Sequence, residues 1–375
     1  MSYPGGLDLL VIQPTALCNL DCRYCYVPDR QNSARLPLPI LERLLIAVRS
    51  SRLASEQRKL KILWHAGEPL AAGIEFYRQA FALTAHLLGE RYAVRHAMQS
   101  NGTLINDAWC RLFAEWNVRV GVSLDGPEAI HDANRKRLGG GGSFRHAMRG
   151  IELLRSHGFR VDVLSVLTTE NIDRPEEMFQ FFLRHELRRV AFNVEEIEGP
   201  NLQSSLLSGG GGFASARARY GAFMRTFHAL NREQGQPLAV RELRSLAGLI
   251  LAWRSDPARV PDGPERRLGG ILTVARDGAI SSWSPELASA AGMMLGNICD
   301  VASIDELLES DRARTIQAEI DRGIAMCRTE CEYFGVCGGG SPGNKFYEHG
   351  TLAATETLKC ALHTKELVEV IAHRP

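Results

Sequence analysis

The chain has 375 residues, 45% hydrophobic and 23% charged, which is ordinary for a globular protein and long enough for two domains. Lys and Arg total 44 and Asp and Glu total 43, so the formal net charge of +1 gives no electrostatic reason to expect nucleic acid or an anionic membrane as a partner. No apolar stretch of the sequence approaches the ~20 residues of a membrane span, and no secretory signal is visible, so we expect a cytoplasmic protein.

Short β-rich segments alternate with helix-like segments from residue 9 to residue 199. The predicted strands are 9–14, 61–67, 95–102, 119–126, 160–169 and 188–199. The predicted helices between them are 37–50, 74–89, 106–116, 143–158 and 174–186. Repeated alternation of this kind predicts right-handed βαβ units and a parallel sheet, either an open doubly wound sheet or a barrel.

The later part of the chain has a different pattern. Two runs of four glycines, 139–142 and 209–212, predict flexible loops, because neither carries the Lys-Ser/Thr of a phosphate-binding loop. The predicted later elements are a helical connector over 213–254, a β-hairpin over 271–284 and a closing helix over 356–373. The nine cysteines are not expected to form disulfides in a reducing compartment, and their clustering points to metal.

Three cysteines lie close together in the segment CNLDCRYC, at Cys18, Cys22 and Cys25. They follow the first predicted strand, at the carboxyl edge of a parallel sheet where active sites lie. Three thiolates are one short of the four that close a zinc site or an iron–sulfur cluster. The alternatives are a zinc ion completed by a distant ligand and a cubane cluster with one iron left open for a small molecule. The C-x3-C-x2-C spacing is the less usual one for zinc.

Together with motifs at later strand ends, this segment resembles the radical S-adenosylmethionine (SAM) superfamily. The motifs are HAGEPL at 65–70, QSNGTL at 99–104, SLDGP at 123–127 and HDANR at 131–135. The resemblance implies an α/β fold with a partial (β/α)6 TIM-type barrel, and a [4Fe–4S] cluster on the three cysteines whose open iron holds SAM. It also implies SAM contacts by Tyr24, Ala66, Gly67, Glu68, Ser100, Asn101, Ser123, Asp125 and Arg135.

Four further cysteines lie near the C-terminus, at Cys327, Cys331, Cys337 and Cys360. Four thiolates suffice for a second, complete cluster or for a structural zinc site. The segment resembles the SPASM extension of enzymes that modify peptides and proteins, which has seven cysteines when complete. Residues 281–284 and Ser341 stand where two of these are missing, so the resemblance implies one auxiliary [4Fe–4S] cluster. Cys299 is then a spare thiol or an irregular ligand.

The tail CEYFGVCGGGSPGNK and the segment FNVEEIEGPN resemble the cyclophane-forming radical SAM/SPASM maturases of glycine-rich-repeat precursor peptides. The implied reaction joins an aromatic ring carbon to the β-carbon of a nearby residue. The implied partners are a ribosomally made precursor peptide and an electron donor such as ferredoxin or flavodoxin. Glu195 and Glu196, at the end of the sixth predicted strand, are candidates for a base or a peptide contact, or for groups that only cap the backbone.

We expect three domains: a barrel over 1–205, a helical connector over 206–265 and a truncated SPASM-like domain over 266–375. Because only 17 residues precede Cys18, we expect a precursor's leader segment to bind the barrel, the connector, the tail or a separate protein. The alternative functions are a thioether-forming peptide maturase and a formylglycine-generating sulfatase maturase, whose family usually keeps both auxiliary clusters. A non-catalytic iron–sulfur or zinc-stapled binding protein is the alternative from a different class.

Overall fold

The computed structural model describes residues 6–53, 59–208, 211–282, 287, 290 and 292–372. Its strands are β1 (Leu9–Ile12), β2 (Leu20–Cys22), β3 (Lys59–Trp64), β4 (Ala93–Ser100), β5 (Arg119–Ser123), β6 (Arg135–Arg137), β7 (Asp162–Leu167), β8 (Arg189–Val194), β9 (Ala239–Val240), β10 (Ile271–Val274), β11 (Ala279–Ser282) and β12 (Met294–Asn297).

Helices connect these strands and form the C-terminal part of the chain. The helices of the first part are α1 (Leu38–Ser50), α2 (Ile74–Leu88), α3 (Asp107–Glu115), α4 (Glu128–Asn134), α5 (Phe144–Ser156), α6 (Pro175–Arg184), α7 (Gly212–Glu233) and α8 (Arg241–Ser255). Those of the tail are α9 (Ile304–Leu308), α10 (Asp311–Glu330), α11 (Phe334–Cys337), α12 (Pro342–His349), α13 (Leu358–Cys360) and α14 (Leu367–Ala372), with a π-helical turn at Ala361–Glu366.

Ten strands form one sheet in the order β12-β11-β10-β1-β3-β4-β5-β7-β8-β9. The six strands predicted from sequence are β1, β3, β4, β5, β7 and β8, and all neighbours among them are parallel. The predicted fold class, an α/β fold with a six-stranded parallel partial barrel, is confirmed. Parallel pairing brings the carboxyl ends of these strands to one edge of the sheet, where their loops meet.

The predicted hairpin is β10 and β11, which pair antiparallel. At its turn Gly278 has a φ of +87°, and the carboxylate of Asp277 accepts a hydrogen bond from the backbone N–H of Ala279 at 3.1 Å. Its location was not predicted: β10 pairs parallel with β1, so the hairpin continues the sheet of the barrel. Residues 283–284, part of the region where a full SPASM extension has another cysteine, lie outside the described residues.

One cluster of buried apolar side chains extends from Leu7 to Val370 and joins the barrel, α7, α8 and the tail. The predicted connector is therefore packed: the rings of Phe223 and Phe227 in α7 contact Phe192 of β8 with centroids 5.2 and 5.0 Å away. Cys110 is fully buried in α3 among apolar neighbours. No helix within the described residues is both long and apolar enough to cross a membrane.

Candidate active site at the carboxyl edge of the sheet

A cavity of about 180 Å³ opens at the carboxyl edge of the parallel strands. The residues predicted from sequence that line it are Cys18, Cys22, Tyr24, Cys25, Ala66, Gly67, Ser100, Asn101, Ser123, Arg135, Glu195 and Glu196. Of the predicted cavity residues, Glu68 and Asp125 do not line it, and both are fully buried behind its wall.

The three N-terminal cysteines lie on one loop that faces this cavity. Burial raises the pKa of Cys18 to about 12 and that of Cys22 to about 11, so iron must displace protons from these thiols when it binds. The described residues contain no group of three or more His, Cys, Asp or Glu side chains placed to hold a single metal ion. A [4Fe–4S] cluster with one open iron takes three thiolate ligands, so the three thiols that line this cavity fit that group.

Glu68 fixes the end of β4 against the turn that follows β3. Its carboxylate accepts hydrogen bonds from the hydroxyl of Ser100 at 2.8 Å and from the backbone N–H groups of Asn101 at 2.8 Å and Leu70 at 3.0 Å. Burial raises the pKa of Glu68 to about 7 against the effect of these donors. In this arrangement Glu68 shapes the wall from behind, and a direct contact with SAM stays a prediction.

Asn101 connects the cysteine loop to the end of β4. Its amide donates to the side-chain oxygen of Asn19 at 2.9 Å, and its own oxygen accepts from the hydroxyl of Thr103 at 2.7 Å. The amide of Asn19 in turn donates to the same hydroxyl at 2.8 Å. This closed set of hydrogen bonds holds the residue next to Cys18 in place, so the predicted contact residue also positions the loop.

Asp125 holds two cavity residues together. Its carboxylate accepts a hydrogen bond from the hydroxyl of Tyr24, and Nε of Arg135 lies 3.1 Å from the same carboxylate oxygen. The guanidinium of Arg135 also stacks over the ring of Tyr24, 5.3 Å from its centroid. Because Tyr24 and Arg135 line the cavity and Asp125 does not, Asp125 acts on a bound molecule through these two side chains.

We expect Arg135→Ala and Asp125→Asn to weaken SAM binding by roughly 10- to 100-fold. Arg135→Ala removes a cation that faces the cavity, and loss of one charge-assisted contact costs roughly 1.5–3 kcal/mol. Asp125→Asn leaves Arg135 and Tyr24 without the charge that orients them. Equilibrium binding of SAM to the iron-loaded variants measures the effect, with iron content as the control. Wild-type affinity in both variants at full iron content would contradict the assignment.

The turn His65-Ala66-Gly67 packs under the cysteine loop, and only glycine fits at position 67. Gly67 has a φ of +63°, and a Cβ there would lie 2.6 Å from the carbonyl oxygen of Ala16 and 2.8 Å from that of Thr15. Both are backbone atoms that cannot rotate away. Ala66 also has a positive φ of +74°, which is costly for any residue with a Cβ.

We expect Gly67→Ala to displace the loop that carries Cys18, with loss of most of the iron bound there and a lower melting temperature. Ala66→Gly is the matched variant one residue away. It removes an unfavourable φ, which the gain in unfolded-state entropy partly offsets, so it should keep the iron and change stability by only about 1 kcal/mol. Iron content and thermal melting measure both. A Gly67→Ala protein with full iron would show that the close packing of this turn is not needed.

Five polar cavity residues were not predicted as site residues: Tyr26, His65, Gln99, Asn193 and Glu198. The hydroxyl of Tyr26 lies 2.7 Å from Nε2 of His65, and burial lowers the pKa of His65 to about 4, so the ring is neutral at pH 7. The amide of Gln99 donates to the hydroxyl of Ser123 at 3.0 Å. Gln99 lies next to Ser100 at the carboxyl end of β4. A polar amide at this end of a parallel strand could have been used to predict it as a site residue.

The two candidate carboxylates after β8 are both engaged. Glu195 accepts hydrogen bonds from the backbone N–H of Ser205 at 2.8 Å and from the hydroxyl of the same residue. Glu196 lies 3.4 Å from Nζ of Lys359 and accepts from the amide of Asn344 at 2.6 Å. Burial acts to raise the pKa of Glu196, but Lys359 and the contacts with Glu198 and Asn344 together more than offset it and the pKa is lowered. These contacts favour the capping alternative for Glu195 and a link to the tail for Glu196, and the role of a base stays a prediction.

The four C-terminal cysteines come from the ends of α10, α11 and α13. Cys327 lies in the last turn of α10, and Cys331 directly follows that helix. Cys337 is the last residue of α11, and Cys360 is the last residue of α13. Burial raises the pKa of Cys360 to about 12, and the nearby Cys337 and Cys331 add to this effect. Cys299 is exposed in the turn after β12, beside α1. The four thiols that the sequence groups together are thus neighbours, while their ligation of a cluster stays a prediction.

The family model of the radical SAM superfamily matches residues 12–182, from β1 into α6. An uncharacterised protein of Synechocystis sp. is 40% identical to this chain over 98% of this chain and 92% of its own length. The chain belongs to the radical SAM superfamily. It is a radical SAM enzyme, and its cofactors include SAM and a [4Fe–4S] cluster.

Named relatives are similar over different parts of the chain. A serine-type anaerobic sulfatase-maturating enzyme of Klebsiella aerogenes is 33% identical in a match that covers 55% of this chain and 49% of that enzyme. The solved structure of anSMEcpe with bound AdoMet and Cp18Cys peptide is similar with a TM-score of 0.79, at 21% identity over 96% of both chains. SuiB of Streptococcus suis bound to the precursor peptide SuiA gives a TM-score of 0.64 at 14% identity, over 94% of this chain and 76% of SuiB. At these identities the two structures show the fold alone, which includes the tail.

Proposed function

We propose that this radical SAM enzyme is a SPASM-type peptide maturase that joins an aromatic ring carbon of a ribosomally made precursor peptide to the β-carbon of a nearby residue. The observation that carries the proposal is the two-sided wall of the cavity. One side, the polar one, has the thiols together with Ser100, Asn101 and Arg135. On the side of β7 and β8, the apolar residues Leu164, Val166 and Val194 line the cavity together with four polar ones, Asn193, Glu195, Glu196 and Glu198. The polar side suits SAM, and the three apolar side chains of the other side offer an aromatic ring a surface to pack against.

Bound SAM, with a cluster held by Cys18, Cys22 and Cys25, would supply radical chemistry able to remove a hydrogen atom from the peptide, and a cluster held by the four tail cysteines would supply an acceptor for one electron. The crosslink forms one C–C bond and replaces a Cβ–H and a ring C–H bond, so the peptide loses two hydrogens, one as an atom and one as a proton with its electron. The chain's own residues hold both reactants: Arg135 and Tyr24 on the polar side, and the apolar side chains of β7 and β8 against the ring.

The proton on the ring carbon that has formed the new C–C bond needs only a weak acceptor, because its loss restores the aromaticity of the ring. Glu195 is the better candidate of the two carboxylates for this role. Both of its hydrogen bonds from Ser205 end on the same oxygen, Oε2, whereas Glu196 is committed through one oxygen to Lys359 and through the other to Asn344. Water that enters from the open mouth of the cavity is the alternative acceptor.

The proposed partners are the precursor peptide and a small electron donor such as ferredoxin or flavodoxin. The peptide is supported by two proteins of similar fold, one of them solved with Cp18Cys peptide and the other with precursor peptide SuiA. Glu196 lies on the cavity wall and contacts the tail directly, which supports a working unit made of the barrel over 1–205, the connector over 206–265 and the tail over 266–375.

The test is coexpression with a glycine-rich-repeat precursor peptide. We expect a peptide lighter by two hydrogens, whose tandem mass spectrum lacks cleavage between the two linked residues. Coexpression with Cys18→Ala, which removes a cluster ligand that faces the cavity, should leave the peptide unchanged. An unmodified peptide with an enzyme that cleaves SAM would overturn the crosslinking proposal.

Sulfatase-type maturation is the second candidate, favoured by the 33% identity to the Klebsiella enzyme. Its product is an aldehyde, which reacts with a hydrazide probe, whereas a C–C crosslink does not. Residues 281–284 contain no cysteine, and position 341 is a serine. This favours the crosslinking enzyme, because sulfatase maturases usually keep both auxiliary clusters. A hydrazide-reactive product from a serine- or cysteine-containing sulfatase peptide would decide for this second candidate.

A further inference from the structure

A lysine is buried beside the four-cysteine site of the tail. Lys345 in α12 is only 2% exposed. Its ammonium donates to the Sγ atom of Cys327 at 3.4 Å and to the carbonyl oxygen of Gly323 at 3.3 Å. Among the ion pairs of the described residues, none joins Lys345 to a carboxylate. Within the part of the chain that the structure describes, the only anionic group in direct contact with this ammonium would therefore be the sulfur of Cys327, as a thiolate.

An ammonium in this position needs a compensating negative charge. Lysine is almost never fully buried unless it is paired, because removing the charge from water costs several kcal/mol. One carbonyl oxygen replaces only part of the lost hydration. The neighbouring Glu196 does not serve, since it is paired with Lys359 and bonded to Asn344. The negative charge must come from the thiolates of the cysteine site.

A glycine beside the site leaves room for this side chain. Gly323 lies one helical turn before Cys327 in α10, and a Cβ on it would lie 3.2 Å from Nζ of Lys345 and 2.4 Å from the carbonyl oxygen of Leu352. A Cβ on Gly340, in the C-G-G-G segment, would lie 3.9 Å from the Cε of Lys345, which is an ordinary contact. Gly323 is therefore the glycine that leaves room for the ammonium beside Cys327.

We propose that Lys345 is the buried counter-charge of the four-cysteine site and raises the reduction potential of the cluster held there. The inference rests on the auxiliary cluster of the proposed function, and it adds which residue sets the reduction potential of that cluster. A [4Fe–4S] core with four thiolates carries net negative charge, and one-electron reduction makes it more negative. A fixed cation at the sulfur stabilises the reduced form more than the oxidised form, which raises the potential. A cluster tuned in this way is a better acceptor for the electron that the peptide loses.

The potential of this cluster can be read alone in a protein that lacks the other one. In a full-length Cys18→Ala, Cys22→Ala, Cys25→Ala background, an anaerobic redox titration followed by electron paramagnetic resonance reports only the tail cluster. We expect Lys345→Met to lower the ratio of reduced to oxidised cluster at least tenfold at a fixed potential, which is a downward shift of 59 mV for one electron. Lys345→Arg keeps the charge and should stay close to the parent.

Lys365→Met is the matched control for a nearby lysine whose charge is balanced. Lys365 lies close enough to Cys360 and Cys331 to interact with their charges, but its ammonium lies 2.9 Å from the carboxylate of Glu356. Its loss should move the potential much less than loss of Lys345. An equal shift in both variants would mean that net charge, and not the contact with Cys327, sets the potential, and would overturn the inference.

Three further outcomes decide the proposal. An unchanged midpoint in Lys345→Met with iron retained overturns the inference and leaves the proposed function standing. If Lys345→Met loses iron, Lys345→Gln, which keeps a polar donor without the charge, gives the potential instead. Loss of iron from both variants with retention in Lys345→Arg supports the counter-charge. Zinc in place of iron at the tail of the parent protein overturns the auxiliary cluster and this inference together.

Discussion

Changing Cys18, Cys22 and Cys25 together to Ala should halve the iron of the anaerobically reconstituted protein, from about eight to about four atoms per chain, and abolish SAM cleavage. The physical reason is the separation of the two cysteine groups. These three thiols share a loop on the cavity, whereas the other four lie among the tail helices α10, α11 and α13. Iron assay and quantification of 5′-deoxyadenosine after reduction measure the two effects.

Cys299→Ala is the control for this experiment. Cys299 is exposed beside α1 and belongs to neither group of cysteines in the sequence, so its loss should leave the iron content unchanged. About twelve irons in the starting protein would show that a second auxiliary cluster exists. SAM cleavage by the triple variant would contradict the assignment of the loop as the SAM-binding cluster site.

The strands of the barrel could be predicted because each is a short apolar run followed by an amphipathic helix, a pattern fixed by local burial. The six predicted strands and five predicted helices agree within a few residues with β1, β3, β4, β5, β7, β8, α1, α2, α3, α5 and α6, whereas β2, α4 and β6 were not predicted. The site followed from the topology, since parallel strands bring their carboxyl ends together. Sequence does not show which of two polar residues near a strand end faces inward. Ser123 ends β5 on the cavity wall, while Asp125, two residues later, has left the strand and is fully buried behind it.

The features that could not be predicted depend on contacts between distant parts of the chain. Leu9 of β1 pairs with Ile271 of β10, and no local pattern encodes that register. Lys345 has no apolar character that predicts burial, and a lysine in a helix is ordinarily expected to be exposed. Lys359 is partly buried, and no local pattern predicts its ion pair with Glu196. Each is placed by a partner, Cys327 for one and Glu196 for the other, and these partners are identifiable only in three dimensions.

Cys337→Ala should separate radical formation from crosslinking. We expect the variant to form 5′-deoxyadenosine from SAM at a substantial rate, because every residue on the polar side of the SAM cavity is intact. It should yield little peptide lighter by two hydrogens, since the acceptor for the second electron has lost a ligand. Both products are measured by mass spectrometry in the same reaction mixture, with the precursor peptide present.

The main hazard in this experiment is structural, because Cys337 also shapes the tail. Its sulfur accepts a hydrogen bond from the backbone N–H of Gly339 at 3.4 Å, and its carbonyl oxygen accepts from the guanidinium of Arg266 at 2.7 Å. Cys337→Ser is the matched variant, since a hydroxyl retains a small acceptor at this position while being a poor ligand for iron. Unchanged melting of the barrel and unchanged SAM affinity must accompany either result. A folded variant that crosslinks the peptide at the wild-type rate would show that the four thiols only staple the tail, and that the ring-derived electron leaves the cavity by another route.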